Sequence, residues 1–192
     1  MADELKLIKK IKDGSIDAFS ELVQIYEKKA YNFAFRMLRD KEEAEDATQE
    51  AFLRVFDKID TFSGNSSFST WFFTVLNNVC LDILRKRARR VSTISINQTK
   101  DAEDEFELQI EDSSPGPYEE LQKKTAMELL EESLGLLSQE HKEVIILRDI
   151  NGFEYEDIAK ILGVSLGTVK SRISRARLSL RKILENNKEL FL

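Results

Sequence analysis

The chain has very little of what disulfide-rich and metal-centred folds require. It contains one cysteine and one histidine in 192 residues, which excludes a disulfide framework and a cysteine-based zinc site. Cys80 lies in an apolar run, and this predicts a buried, unreactive thiol. His141 has no second histidine with which to share a metal or a catalytic triad, so we expect it on a solvated helix. No metal and no cofactor is expected.

Turn-forming residues and long apolar runs are also scarce. Only 7 glycines and 2 prolines are present beside 42% hydrophobic and 33% charged residues, and this composition favours an all-α fold over a turn-rich β fold. No stretch approaches the roughly 18 to 20 apolar residues that span a bilayer. The opening "MADELKLIKKIKDG" is too charged for a signal peptide. We therefore expect a reduced, cytoplasmic protein without membrane insertion.

Charge is unevenly distributed. The net charge is −6, but residues 99–134 hold three basic and twelve acidic side chains, whereas residues 1–98 are close to neutral. The acidic stretch includes "DAEDEFELQIEDSSPGPYEE", which has no helical period. It predicts a flexible linker over 93–120 between two small helical domains, at 1–92 and 121–192. An acidic surface loop within one domain is the alternative.

Helical spacing of apolar residues, with Ser15 as the first N-cap, predicts several helices. They are expected at 16–38, 41–59, 68–90, 118–136, 139–149, 154–162 and 166–186.

The segment "YEDIAKILGVSLGTVKSRISRAR" has the pattern of a helix-turn-helix. Gly163 suits a left-handed turn position, which costs other residues about 1 kcal/mol. Val164 can pack inward, and Ser165 can cap the second helix. The inner face of the first helix is expected from Ile158, Ala159 and Leu162.

The second helix separates apolar from polar and basic side chains. Its inward face is expected from Val169, Ile173, Ala176 and Leu180. The run from Gly163 to Lys182 contains no acid, which suits a helix that meets DNA bases and phosphates. The candidate DNA-binding residues are Thr168, Lys170, Ser171, Arg172, Ser174, Arg175 and Arg177. The alternative is an exposed basic helix without a DNA role.

Two helices of the first half carry further candidates. "DATQEAFLRVFDKI" is expected to bury Phe52, Val55, Phe56 and Ile59. Its other arc presents Asp46, Gln49, Glu50, Leu53 and Asp57. An exposed leucine among acids suits a protein-docking surface, although a plain solvated face is the alternative.

The helix "FSTWFFTVLNNVCLDILRKRARR" is apolar nearly all round except for one polar strip. The strip consists of Asn78, Asp82, Arg85 and Arg89. A structural alternative is an intrahelical pair of Asp82 with Arg85 or Arg89. We expect the basic end of this helix, which includes Arg87, to lie beside the aromatic residues of "DTF" and "NSSFSTWF". Cations near aromatic rings suit unpaired nucleic acid.

Three stretches together resemble the extracytoplasmic-function sigma factors, small members of the sigma-70 family of bacterial transcription initiation factors. They are "DAFSELVQIYEKKAYNFAFRMLRDKEEAEDATQEAFLRVF", "FSTWFFTVLNNVCLDILRKR" and "LLSQEHKEVIILRDINGFEYEDIAKILGVSLGTVKSRISRAR". The resemblance implies a two-domain protein that binds core RNA polymerase, recognises a promoter and helps to open it. It also implies an anti-sigma factor as a partner, which we expect to be membrane-anchored.

The resemblance assigns roles by position. Asp46, Gln49, Glu50, Leu53 and Arg54 match the helix that docks on the polymerase clamp. Asn78, Asp82 and Arg85 match the helix that meets the minus-ten element. Lys170, Ser171, Ser174 and Arg175 match positions that meet the minus-thirty-five element.

Three positions depart from the family pattern. Thr74 stands where arginine is common, and Ile83 where a basic or polar residue is common. Glu154 replaces the Ser or Thr that usually begins the helix-turn-helix, and a carboxylate suits that end of a helix dipole.

The resemblance implies no covalent chemistry by the chain itself, so no catalytic residue is expected. Two other functions stay open at this point. One is a stand-alone helix-turn-helix regulator with an N-terminal interaction module. The other is a nucleic-acid-processing enzyme, although the sequence shows no carboxylate–histidine cluster, phosphate-binding glycine loop or metal-ligand spacing.

Overall fold

The computed structural model describes residues 2–94 and 128–188, which are helical and contain no strand. The all-α fold is thus confirmed. The helices of the first half are α1 (Ala2–Lys12), α2 (Ile16–Leu38), α3 (Lys41–Lys58) and α4 (Phe68–Ile94), with a 3₁₀ turn at Ile59–Thr61. Those of the second half are α5 (128–135), α6 (Gln139–Ile145), α7 (Tyr155–Leu162) and α8 (Leu166–Lys188), with a π-helical turn at Ile146–Ile150 after α6.

Local hydrogen bonds define where the first-half helices begin. Ser15 Oγ accepts from the Ala18 amide at 3.3 Å, so the predicted cap of α2 is confirmed. Asp40 caps α3 at 2.8 Å through the amide of Glu43. These short side chains satisfy amides that have no partner within the helix.

Helix α1 is absent from the sequence-based prediction. Its apolar residues Leu7, Ile8 and Ile11 are buried in the first-half core. Helix α4 continues beyond its predicted end to Ile94. The predicted linker lies almost wholly within 95–127, which is outside the described residues.

The first-half core is rich in aromatic rings. Phe33, Phe68, Phe72 and Phe73 are fully buried and pack largely edge to face or tilted. The expectation that Phe56 is buried is wrong: it is 42% exposed. It lies in the last turn of α3, where its ring packs edge to face with that of Phe19, with centroids 4.8 Å apart, and is otherwise only partly covered.

The two halves are in contact along α4. The rings of Phe73 and Phe153 lie edge to face, with centroids 5.0 Å apart. Arg36 Nε is 2.9 Å from a carboxylate oxygen of Glu131. The buried residues of both halves therefore form one continuous core.

Candidate nucleic-acid interfaces

The predicted helix-turn-helix is formed by α7 and α8. Gly163 has φ 64° and ψ 35°, the left-handed conformation expected at the turn. Ser165 Oγ accepts from the Thr168 amide at 3.1 Å and caps α8. Ile158 is buried as predicted, but Ile161 completes the inner face of α7 and was missed. Its signal is its spacing of three residues from Ile158.

The inward face of α8 follows the prediction for its first three residues. Val169, Ile173 and Ala176 are buried, while Leu180 is half-buried. Burial of this apolar stripe determines which side chains of α8 point to solvent.

The exposed face of α8 carries Lys170, Ser171, Ser174 and Arg175. Within the described part of the chain, neither Lys170 nor Arg175 forms an ion pair. Ser171 Oγ donates to the Thr168 carbonyl at 3.0 Å, and its hydroxyl can rotate toward another acceptor. This face therefore has cations and polar groups available for a ligand.

Three other candidate side chains on α8 form hydrogen bonds or ion pairs with other residues of the chain. Thr168 is half-buried, and its hydroxyl lies 2.8 Å from that of Ser165, within the helix cap. Arg172 Nη2 is 2.9 Å from Glu140. Both ends of the Arg177 guanidinium donate to Asp149, and the hydrogen bond raises the pKa of Arg177. Arg172 thus ties α8 to the first turn of α6, and Arg177 ties it to the π-helical turn that follows α6.

Glu154 precedes α7 but does not cap it through its side chain. Its carboxylate instead lies 3.0 Å from Arg148 Nη1, which also donates to the Phe153 carbonyl at 2.8 Å. Arg148 further lies over the ring of Tyr155, 4.9 Å from its centre. Glu154 thus belongs to a group of residues around Arg148 that supports the start of the helix-turn-helix.

The outer arc of α3 is exposed at Asp46, Gln49, Glu50 and Leu53, and Leu53 has 61% of its surface free. Arg54 Nε donates to Glu50 at 2.7 Å, and its Nη1 lies 3.9 Å from Asp82 Oδ2 on α4. Arg54 thereby joins the arc on α3 to the polar strip on α4.

The polar strip on α4 begins with an exposed Asn78, while its neighbour Asn77 is buried. Asp82 is half-buried and accepts from Arg85 at 3.1 Å, so the intrahelical pair considered from the sequence is present. Thr74 Oγ1 donates to the Thr70 carbonyl at 2.7 Å within the helix. Asn78 is therefore exposed at the start of the strip, whereas Asp82 and Arg85 are paired with each other.

The basic end of α4 does not lie beside the aromatic loop, and that expectation is wrong. A helix rises about 1.5 Å per residue, so Arg87 is about 30 Å from Phe68. Arg87 instead donates to Glu43 and, at 3.3 Å, to the Leu38 carbonyl. It holds α4 to the corner between α2 and α3.

One cation that the sequence analysis did not predict, Lys12, lies near the aromatic residues at the start of α4. Lys12 Nζ donates to the Phe62 carbonyl at 2.7 Å, and the Phe62 ring packs against Trp71 with centroids 5.3 Å apart. Lys12 went unrecognised because α1 was not predicted.

Other kinds of site find no support among the described residues. No group of three His, Cys, Asp or Glu side chains there is arranged to hold a metal ion. None of the described helices has the length and apolar character to cross a membrane. Cys80 is buried as predicted, and burial raises its pKa to about 12.

Two family models match the chain. The model for sigma-70 region 2 matches residues 22–90, which include α3 and most of α2 and α4. The model for sigma-70 region 4 matches residues 127–180, which include the helix-turn-helix.

Individual relatives agree with these matches. The ECF RNA polymerase sigma factor SigW of Bacillus subtilis is 33% identical over 188 residues, covering 94% of this chain and 96% of SigW. SigE of Mycolicibacterium smegmatis is 33% identical, covering 89% of this chain and 63% of SigE. A solved structure of the sigma factor RpoE with the anti-sigma factor NepR from Bartonella quintana has a TM-score of 0.70 and 29% identity, covering 88% of this chain and 98% of RpoE.

Proposed function

Because the chain belongs to the extracytoplasmic-function sigma factors of the sigma-70 family, we propose that it works through three surfaces on its two halves. The outer arc of α3 binds core RNA polymerase, the polar strip of α4 binds melted minus-ten DNA, and the exposed face of α8 binds the minus-thirty-five duplex. The observation that carries the proposal is the exposed face of α8, where Lys170 and Arg175 have no ion-pair partner among the described residues.

The polymerase-binding surface consists of Asp46, Gln49, Glu50, Leu53 and Arg54. An exposed leucine within a ring of charged groups has the composition of a protein interface, in which an apolar centre is surrounded by polar residues. The contact of Arg54 with Asp82 ties this surface to α4. Docking on polymerase would therefore also fix the orientation of the minus-ten strip.

The minus-ten surface consists of Asn78, Asp82, Arg85 and Arg89. The exposed amide of Asn78 offers both donors and an acceptor to the edge of an unpaired base. Arg85 and Arg89 are exposed on the following turns and supply positive charge for the phosphates of the same strand. Arg87 is omitted from this surface because it binds groups outside α4, Glu43 and the Leu38 carbonyl. Arg85 and Arg89, in contrast, bond to Asp82 and to the Arg85 carbonyl within the strip.

The minus-thirty-five surface consists of Lys170, Ser171, Ser174 and Arg175. A recognition helix places such side chains in the major groove, where an arginine can donate two hydrogen bonds to a guanine edge. Arg172 and Arg177 position α8 through Glu140 and Asp149. Their effect on DNA binding would be indirect.

The protein has no catalytic step of its own in this proposal, because the polymerase forms the phosphodiester bonds. We propose that it acts in the cytoplasm together with the polymerase. RpoE of Bartonella quintana is found in complex with the anti-sigma factor NepR, and we infer that an anti-sigma factor also controls this chain.

Run-off transcription with core polymerase and a panel of promoters tests the proposal. We expect transcripts only when both the chain and core polymerase are present, and a loss of promoter selectivity with Arg175→Ala. Arg181→Ala is the matched control, because Arg181 lies on another face of α8 and pairs with Glu185. Specific duplex binding without polymerase, and no transcript with it, would favour the stand-alone regulator.

A further inference from the structure

Helix α1 combines a buried apolar face with a basic outer face. Leu7, Ile8 and Ile11 are buried in the first-half core, and their spacing turns the rest of the helix to solvent. Lys9 and Lys10 are exposed, and neither forms an ion pair within the part of the chain that the structure describes. The fold therefore leaves two adjacent ammonium groups available for a ligand.

Contacts near both ends hold α1 against the aromatic end of α4. In the first turn, Glu4 accepts a hydrogen bond from the hydroxyl of Tyr26, whose ring packs on the start of α4. At the last residue of the helix, Lys12 Nζ donates to the Phe62 carbonyl at 2.7 Å. Because side chains three residues apart are neighbours on a helix surface, Lys9 lies beside Lys12 at this end.

The polar strip of α4, continued toward the start of the helix, leads to the same place. Trp71 precedes Asn78 by seven residues, which is two helical turns or about 10 Å along the axis, so both side chains lie on one face. Trp71 is half-buried, and its ring centroid is 5.3 Å from that of Phe62, whose carbonyl binds Lys12. A single strand that follows the strip past Asn78 therefore reaches the lysines of α1.

The charges of α1 are divided along its length. Asp3 and Glu4 stand in its first turn, whereas Lys9, Lys10 and Lys12 stand in its last. Cations at this end also interact favourably with the helix dipole. The dipole interaction affects the stability of the fold alone, whereas binding of a strand by the same cations depends on salt and on the length of the strand. A substitution can therefore separate the two roles.

We propose that Lys9 and Lys10 form a fourth surface, which binds phosphates of the unpaired promoter strand beyond the Asn78 end of the polar strip. Lys12 is a positioning residue, because its bond to the Phe62 carbonyl holds α1 beside the aromatic residues. Proteins bind unpaired strands with cations along the backbone and aromatic rings beside the bases, and this end of the first half has both. The inference rests on the proposed function, since only a strand held by α4 passes α1.

Strand binding by the assembled holoenzyme tests this surface. The probe is a fluorescent single strand that spans the unpaired region of a promoter selected in the run-off panel. It is titrated with the complex of the chain and core polymerase at several salt concentrations.

The salt dependence counts the phosphate contacts. Each contact to a single strand contributes about 0.7 to the slope of log affinity against log salt. Lys9→Gln combined with Lys10→Gln should therefore lower the slope by about 1.4 and weaken binding about tenfold at about 0.1 M salt. Lys9→Arg combined with Lys10→Arg keeps both charges and should keep the slope and the affinity.

A matched control removes the same charge elsewhere. Lys28→Gln combined with Lys160→Gln also neutralises two exposed lysines. Lys28 is two residues from Tyr26 and so lies on another side of α2 from α1, and Lys160 belongs to α7. This control should keep the salt slope of the unmodified chain.

Shortening the probe locates the contact. Stepwise removal of nucleotides from one end should abolish the difference between the lysine-to-glutamine variant and the unmodified chain, because the phosphates that reach α1 are then missing. Removal from the other end should leave the difference in place.

The outcomes separate this inference from the proposed function. An unchanged slope in the variant would overturn the inference, as would a difference that persists with every shortened probe. A lower melting temperature with an unchanged slope would assign the lysines to the helix dipole, and weaker binding of labelled core polymerase would assign them to a protein interface. If the proposed function itself is wrong, the unmodified holoenzyme should not bind the probe, or Asn78→Ala should bind it equally well.

Discussion

The exposed face of α8 and the basic end of α4 are both rich in arginine and lysine, but their side chains are used differently. Lys170 and Arg175 on α8 have no ion-pair partner within the described parts of the chain, whereas Arg87 on α4 is bound to Glu43 and to a carbonyl. An arginine that already has partners must lose them before it can bind phosphate. A nucleic-acid surface therefore needs cations whose hydrogen-bond donors are available, as on α8. Cations that bind other parts of the protein, such as Arg87, stabilise the fold instead.

The largest effect on binding is expected at Leu53, the exposed apolar residue of the α3 surface. Leu53→Glu should weaken binding of core polymerase by about 2 kcal/mol or more, roughly 30-fold, because it removes the apolar centre of the proposed interface. Leu53 is exposed, so helical content should not change. A binding titration with labelled core polymerase provides the measurement, and Leu178→Glu, at another exposed leucine, is the control. Equal affinity of Leu53→Glu and the unmodified chain would remove α3 from the docking surface.

A free arginine should affect sequence preference more than stability. Arg175→Ala is expected to lose about 1–3 kcal/mol of discrimination at one base pair, because two hydrogen bonds to a guanine edge are lost. Transcription from a series of single-base promoter variants measures this effect. The same ranking of promoters for Arg175→Ala and the unmodified chain would show that Arg175 contacts phosphate alone.

The polar strip should act only when DNA is opened. Asn78→Ala is expected to reduce open complexes on duplex promoter by about tenfold, in line with the loss of hydrogen bonds worth about 1.5 kcal/mol. A pre-melted template should restore part of this activity, since it spares a few kcal/mol of opening. Permanganate footprinting of unpaired thymines provides the measurement.

The same template should not rescue Arg175→Ala, whose defect lies in duplex binding. Because Asn78 is exposed, its substitution should leave the melting temperature unchanged. Equal rescue of both variants would contradict the division of labour between α4 and α8.

An arginine that already has partners within the protein should affect stability more than DNA binding. Arg87→Ala is expected to lower the free energy of unfolding by about 1 kcal/mol, a small value because the partly exposed pair with Glu43 is screened by water. Thermal melting measures it, and the neighbouring exposed Lys86→Ala is the control. Loss of promoter opening with an unchanged melting temperature would return Arg87 to the DNA surface.

Much of the fold follows from interactions between residues close in sequence. Ser15 and Ser165 cap their helices through amides three residues away, and Gly163 takes the turn conformation that its lack of a side chain permits. The apolar period of α8 specifies its buried face at Val169, Ile173 and Ala176. Such short-range effects are visible in the sequence, and so were the helix-turn-helix and the candidate face of α8.

Tertiary structure decided which of the polar and charged candidates remain free. Arg177 meets Asp149 across 28 residues, and Arg87 meets Glu43 across 44, so no local pattern indicates either pair. The exposure of Phe56 depended on what packs beside the last turn of α3. The contact of Phe73 with Phe153 likewise depended on how two helical halves pack together. Helical periodicity identifies an apolar face, but only the assembled core determines which surface covers it.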